Sequence, residues 1–155
     1  MDAIDRKIVD TLQQNGRITN VELARMNDLA PSSMLARVRR LEERGIITGY
    51  RAVLDPKALG YTVMAIVMIN LDQHQAGSIA AFEERVRSIP EVKMGYHITG
   101  RYDYMLQVVV RDIDHLGELI KHTLAGIPGL ERQETFLMFS AIKDDGGYSM
   151  AYLEG

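Results

Sequence analysis

The sequence predicts an α+β chain of two modules, a helical front half and a sheet-forming back half. Three observations carry this reading. Apolar residues recur at helical spacing to about residue 44, β-branched apolar runs begin after Tyr61, and the charge balance changes sign between the two. Residues 1–60 hold 10 Lys/Arg against 8 Asp/Glu, whereas residues 61–155 hold 8 against 13. The net charge of −3 thus hides a slightly basic front joined to an acidic back, and the boundary is placed between residues 1–60 and 61–155. With 155 residues and 46% hydrophobic side chains the chain has enough material for cores, though two units this small are each thin.

In the first half, Ile4, Ile8, Val9 and Leu12 share one face of a helix that stops at Asn15-Gly16. Thr19 and Glu22 have the spacing of a capping box and open a short second helix with Leu23 and Met26 expected inward. Asn27-Asp28-Leu29 reads as a turn, and Pro31 begins a third helix that Gly45 ends. Residues 46–53 are expected as a short hairpin or an extended crossing strand. The sheet half starts with the run 62–69, apolar enough for a strand covered on both faces. A helix follows over residues 76–88, then strands over 92–99 and 104–110, a helix over 112–124 ended by Gly126-Ile127-Pro128-Gly129, and a last strand over 134–142. The order β-α-β-β-α-β is that of a ferredoxin-like sandwich, four antiparallel strands under two helices.

Two helices joined by a tight turn, the second rich in arginine, form a helix-turn-helix pattern. Projected at 100° per residue, Leu35, Val38 and Leu41, with Met34 beside them, fall on a core side of the third helix. Ser32, Ser33, Ala36 and Arg40 point the other way, flanked by Arg37 and Arg39. Small and hydroxyl residues near the start of a helix allow close entry to a major groove, and arginines reach guanine edges or phosphates. These six residues are the candidate DNA-binding set. A solvated charged face is the ordinary reading of such arginines, but the capping box, turn and proline start around them favour double-stranded DNA as the partner.

Other chemistries find little support. Cysteine is absent, which removes disulfides, thiolate nucleophiles and Cys-based zinc sites. His74, His97, His115 and His122 form no His-x-x-x-His pair, so neither a metal site nor a cofactor is expected. No nucleophile triad, phosphate loop or paired-carboxylate signature suggests an enzyme. No apolar run reaches the roughly 18–20 residues of a membrane helix, and Met1-Asp2 begins without a basic leader, so the expectation is a cytoplasmic protein without a membrane partner.

The stretch 23–33, followed by Arg37-Val38-Arg39-Arg40-Leu41-Glu42-Glu43-Arg44-Gly45-Ile46-Ile47, resembles the Lrp/AsnC, or feast/famine, transcriptional regulators. Residues 49–56 with Leu59-Gly60 resemble that family's linker, and Thr99-Gly100-Arg101-Tyr102-Asp103-Tyr104 its effector-domain signature. The resemblance implies a winged helix-turn-helix domain joined to a ferredoxin-like effector (RAM) domain, homodimers formed through the sheets and commonly assembled to octamers, and an amino-acid effector bound between subunits near the Gly-x-x-Asp loop. It departs at Ala30, where the family often has Ser, so that helix start lacks a side-chain cap and Ser32 or Ser33 is left to compensate.

Within that frame an amino acid needs acceptors for its ammonium and amide donors for its carboxylate. Gly100 permits close backbone approach, the N–H groups of Arg101 to Asp103 suit a carboxylate, and Asp103 offers a negative charge. Tyr96, His97, Tyr102 and Tyr104 surround the loop, and Thr135 joins the set by family arrangement only. A plain β-turn at Gly100 and Asp103 is the bland alternative. Two other functions stay open: an effector-independent DNA-architectural protein, and a siroheme decarboxylase-like enzyme on the same scaffold with a tetrapyrrole against His97.

Overall fold

A computed structural model describes residues 1–72, 76–143 and 147–153. The chain divides into two units, Met1–Val53 with Ile142–Gly155, and Leu54–Ala141.

The first unit is built on α1 (Ala3–Gln14), α2 (Asn20–Met26) and α3 (Pro31–Glu43). The expected cap at α2 is present, Thr19 accepting from the Glu22 N–H while Glu22 reaches back to Thr19, and α1 is capped in the same way by Asp2, which accepts from the Asp5 N–H. Ala30 supplies no side-chain cap to α3, and Pro31, which has no N–H to satisfy, makes that tolerable. The turn between α2 and α3 runs through Asp28 at φ 52°, a left-handed conformation that Asp adopts more readily than most residues. Ile8, Leu23, Ala24, Met34 and Leu41 form the core, with Val9, Leu12 and Val38 packed on it.

Two inward assignments are corrected here. Met26 is 60% exposed, because α2 is only seven residues long and buries Leu23 and the small Ala24 instead. Leu35 is 41% exposed, while Met34, Val38 and Leu41, the other three residues of the expected core side, form the buried stripe of α3. Residues 46–53 form neither hairpin nor strand, having no ladder partner among the described residues.

The end of α3 is closed by a pair of reverse bonds, Ile46 N–H to Leu41 O (2.9 Å) and Gly45 N–H to Glu42 O (2.9 Å), with Gly45 at φ 67°. Gly45→Ala is expected to lower unfolding free energy by about 1 kcal/mol, since a Cβ is strained in that conformation. Urea denaturation checks it, and an unchanged midpoint would mean the helix does not end in this way.

The second unit holds β1 (Val63–Leu71), α4 (Ala76–Arg87), β2 (Val92–His97), β3 (Tyr104–Val110), α5 (Ile113–Glu118) and β4 (Leu130–Leu137). The strands form an antiparallel sheet in the order β2-β3-β1-β4, the βαββαβ arrangement expected. Phe82 and Val86 of α4 and Leu116 of α5 cover one sheet face, burying Ala65, Val67, Ile69, Tyr104, Leu106 and Val108.

Three features differ from expectation. In β1 burial alternates, so within one chain this strand is covered on one face only; Met64, Ile66 and Met68 lie half-buried on the other. The second helix leaves α-geometry after Glu118 and continues as a π-helical turn over Leu119–Leu124, which brings Leu119 and Leu124 both into the core. The last strand lies over Leu130–Leu137 rather than 134–142. Arg132, Gln133 and Glu134 are paired with β1 and Glu131 falls at a bulge, while Phe139 and Ile142 are fully exposed beyond the strand's end.

Candidate functional site

The exposed side of α3 presents Ser32, Ser33, Ala36, Arg39 and Arg40. Met34, Val38 and Leu41 are drawn into the core, so these five point away from it. Arg37 does something different. Its Nη1 donates to Asp2 Oδ2 and Asp5 Oδ1, both at 2.7 Å, and its side chain is 26% exposed. Arg40 Nη2 reaches the same Asp5 carboxylate at 3.0 and 3.2 Å while its side chain stays half exposed.

Asp5 is therefore a hub. It is 1% exposed, the one charged residue in the described cores, and it binds two arginines of α3 from the first turn of α1. Two donors on one desolvated carboxylate fix both guanidiniums, and charge-assisted bonds of this kind are the strong ones. Sequence reading missed it. The signal was present as the pair Asp2 and Asp5 at capping-box spacing, but nothing local indicated that the partners would be Arg37 and Arg40.

The Asp5 N–H, then the Arg37 guanidinium, hold the Asp2 carboxyl down from 3.8 to about 2. The same pairing raises Arg37. A carboxylate depressed in the folded state contributes stability that is present above the unfolded value and is lost as pH falls toward the folded one. The α1–α3 contact should therefore weaken between about pH 4 and pH 2, and Asp2→Asn should flatten that part of an acid titration followed by circular dichroism. An unchanged profile in the variant would remove Asp2 from the account.

In the second unit the loop between β2 and β3 carries Gly100, at φ 123°, and Asp103. Asp103 is braced on three sides. Its Oδ2 accepts from Leu71 N–H (2.8 Å), its N–H donates to Ile69 O (2.9 Å), and its carbonyl accepts from Ile98 N–H (2.8 Å). Asn70 Nδ2 donates to Arg101 O at 2.8 Å. The loop is thus tied to the end of β1 by side chain and backbone together, and Asp103 holds its shape.

The eight expected effector residues do not form one cluster. His97 and Tyr104 lie on the helix-covered side, stacked at 4.7 Å and 13°, beside a cleft of about 330 Å³ under α4. There the Tyr104 hydroxyl donates to Glu83 at 3.1 Å, and burial followed by that bond pushes the phenol up to about 12. Tyr102 turns elsewhere, its hydroxyl donating to Glu134 at 2.6 Å. That bond raises the Tyr102 phenol and lowers the Glu134 carboxyl, which Arg132 and Arg101 also bind. Glu134 lies opposite Met68 on the open sheet face, as Tyr96 lies opposite Met105. Thr135 lies opposite Val67 and so has the other parity. Glu83 and Glu134 were not anticipated, since their partners are 21 and 32 residues away.

Among the described residues no group of His and carboxylates could hold a metal; His115 pairs with Glu91 at 3.3 Å and His122 with Glu118 at 3.5 Å. His74 lies outside the described residues. No helix among them is long and apolar enough to cross a membrane.

Residues 64–148 match the model of the Lrp/AsnC ligand binding domain, and residues 1–48 that of a winged helix-turn-helix DNA-binding domain. The chain belongs to the Lrp/AsnC family. It is 38% identical over 144 residues to the leucine-responsive regulatory protein of Rhizobium meliloti (strain 1021), covering 93% of this chain and 92% of the relative. Identity to the leucine-responsive regulatory protein of Escherichia coli K12 is 35% over 143 residues, covering 92% of this chain and 87% of that one. Among solved structures, a Neisseria meningitidis transcriptional regulator in complex with L-Met superposes with a TM-score of 0.93 at 31% identity, covering 99% of both chains. AsnC of E. coli superposes with a TM-score of 0.85 at 30% identity, covering 93% and 95%. The chain is thus a DNA-binding regulator with an Lrp/AsnC ligand-binding domain, on an α+β scaffold shared over nearly its whole length.

Proposed function

We propose that this Lrp/AsnC regulator reads double-stranded DNA with α3 and adjusts that binding when an α-amino acid occupies the Gly100–Asp103 loop region. The observation that carries the DNA assignment is the exposed face of Ser32, Ser33, Ala36, Arg39 and Arg40, supported from behind by Asp5. Small residues allow the helix into the groove while Arg39 and Arg40 reach bases or phosphates. Arg37, half-buried between Asp2 and Asp5, serves as a strut whose outer edge meets a phosphate.

For the ligand, an amino acid is supported by the L-Met complex of a 31% identical relative and by the chemistry of the loop. Amides of Arg101 and Tyr102 suit a carboxylate, and Glu134, framed by Tyr102, Arg101 and Arg132, is the acceptor for an ammonium. Tyr96, on the same open sheet face as Glu134, completes the site only when a second subunit is present, whereas Thr135 faces the other way. The open sheet face, with Met64, Ile66, Met68, Met105, Tyr96 and Phe136, is the surface through which two chains pair, and such dimers assemble further, to octamers. Ligand binding that changes the assembly changes the separation of recognition helices, which must match about 34 Å or a multiple of it to reach successive major grooves. The chain acts by binding rather than by catalysis.

The experiment is a thermal-shift screen against the twenty amino acids. A ligand specific for the native state adds about 2.7 kcal/mol at one hundred times its dissociation constant, several degrees at this size. No shift with any of them, in protein that binds DNA, would remove the amino-acid reading and favour an architectural role.

A further inference from the structure

We infer that the first unit carries a docking groove for this chain's own C-terminal segment, closed in cis by Gln13. A cleft of about 550 Å³ lies between the end of α1 and the residues following α3. Val9, Leu12, Ile46 and Tyr50 form one wall, and Tyr148 and Met150 the other. Three separate features show a built contact rather than a chance approach.

First, the Gln13 amide is paired at both ends with the backbone of one residue, Tyr148. Its Nε2 donates to the Tyr148 carbonyl at 3.0 Å, and its Oε1 accepts from the Tyr148 N–H at 2.6 Å. A side-chain amide thereby offers the donor and acceptor that a neighbouring strand would offer. Second, Gly147 sits at φ 75°, and a Cβ built there would lie 2.6 Å from Gln13 Oε1 and 3.0 Å from its Cδ. Only glycine both adopts that conformation and lets the backbone come so close. Third, the segment past the clamp is ordered into a 3₁₀ turn, Met150–Leu153, with Met150 half-buried.

The occupant is the same chain: the Tyr148 backbone that Gln13 holds is its own, and a tethered segment is present at an effective concentration on the order of millimolar. Docking has a structural consequence. Strand β4 belongs to the second unit, yet the chain beyond Ala141 clusters with the first. The chain therefore contributes to the first unit twice, once before β1 and once after β4. This inference rests on the geometry of the first unit and is independent of which ligand the second one binds.

The chain contains no cysteine, so a disulfide trap has no background. A Cβ at position 147 would lie 3.4 Å from the Gln13 Cβ, just under the usual disulfide separation of about 3.5–4.5 Å. In full-length protein carrying Gln13→Cys and Gly147→Cys, mild oxidation at micromolar concentration should consume both thiols and leave a monomer on a non-reducing denaturing gel. A mainly cross-linked dimer, or thiols that stay free, would overturn docking in cis. Amide exchange avoids the strain of a side chain at position 147. In the unmodified chain the Tyr148 amide should exchange at least tenfold slower than in an unfolded chain, and Gln13→Ala should abolish that protection while the amides of α3 keep theirs. Rapid exchange of Tyr148 in the unmodified protein, or protection that survives Gln13→Ala, would equally overturn it.

Discussion

Asp5→Asn should destabilise the first unit by about 2 kcal/mol and weaken DNA binding several-fold, although Asp5 itself lies behind the reading face. The magnitude follows from what the carboxylate holds. It accepts from Arg37 at 2.7 Å and from Arg40 at 3.0 and 3.2 Å, with its own side chain 2% exposed. Bonds to charged groups contribute roughly 1.5–3 kcal/mol each when buried, but both arginines retain access to water and recover part of that loss by solvation. An uncompensated buried pair would cost 3–5 kcal/mol, so the partial exposure sets the lower figure. DNA affinity falls because the two guanidiniums lose their fixed positions, which adds side-chain entropy to the cost of binding. Urea denaturation and a binding titration at matched salt measure the two effects. Arg40→Ala should reduce DNA affinity comparably with a smaller loss of stability, since it leaves Arg37 on Asp5. Wild-type stability and affinity in Asp5→Asn would sink the hub.

Asp103→Ala should abolish the amino-acid response while DNA binding persists, and should also cost about 1–3 kcal/mol of stability in the second unit. The stability cost arises because Leu71, 3% exposed, would keep a buried N–H with no acceptor in place of the Asp103 Oδ2. The response is lost because the loop's amides are aimed by that brace. Asp103→Asn separates the two causes: an amide oxygen can still accept from Leu71, so stability should largely return, and with it the ligand-induced thermal shift. If the Asn variant is stable but deaf to ligand, the charge itself contacts the ligand, and Asp103 is more than a brace.

The helices and strands were legible in the sequence because each is specified by neighbours within one or two turns. Thr19 and Glu22 mark the start of α2, Gly45 the end of α3, and the β-branched run after Tyr61 the central strand. The charge asymmetry and the arginines of α3 likewise pointed to DNA, while only the family resemblance pointed the Gly100–Asp103 loop to a ligand. Where local signals were weak the reading slipped. The apolar stretch after Phe136 drew the last strand too far along, by four residues at its start and five at its end, because sheet register is decided by pairing with β1. Leu35 dropped out of the expected core side of α3 for a similar reason: which residues of a helix are buried depends on the helices it meets.

The site divides along the same line. Residue types and spacing marked the arginine-bearing face as a property of a single segment, and the family resemblance marked the Gly100–Asp103 turn. That Asp5 would bind Arg37 and Arg40, that Glu134 would take the Tyr102 hydroxyl, that Tyr104 would turn inward to Glu83, and that Gln13 would clamp Tyr148 across 135 residues came only with the folded chain. Each joins side chains far apart in sequence, and a polar group buried by folding must find whichever partner the packing brings within about 3 Å.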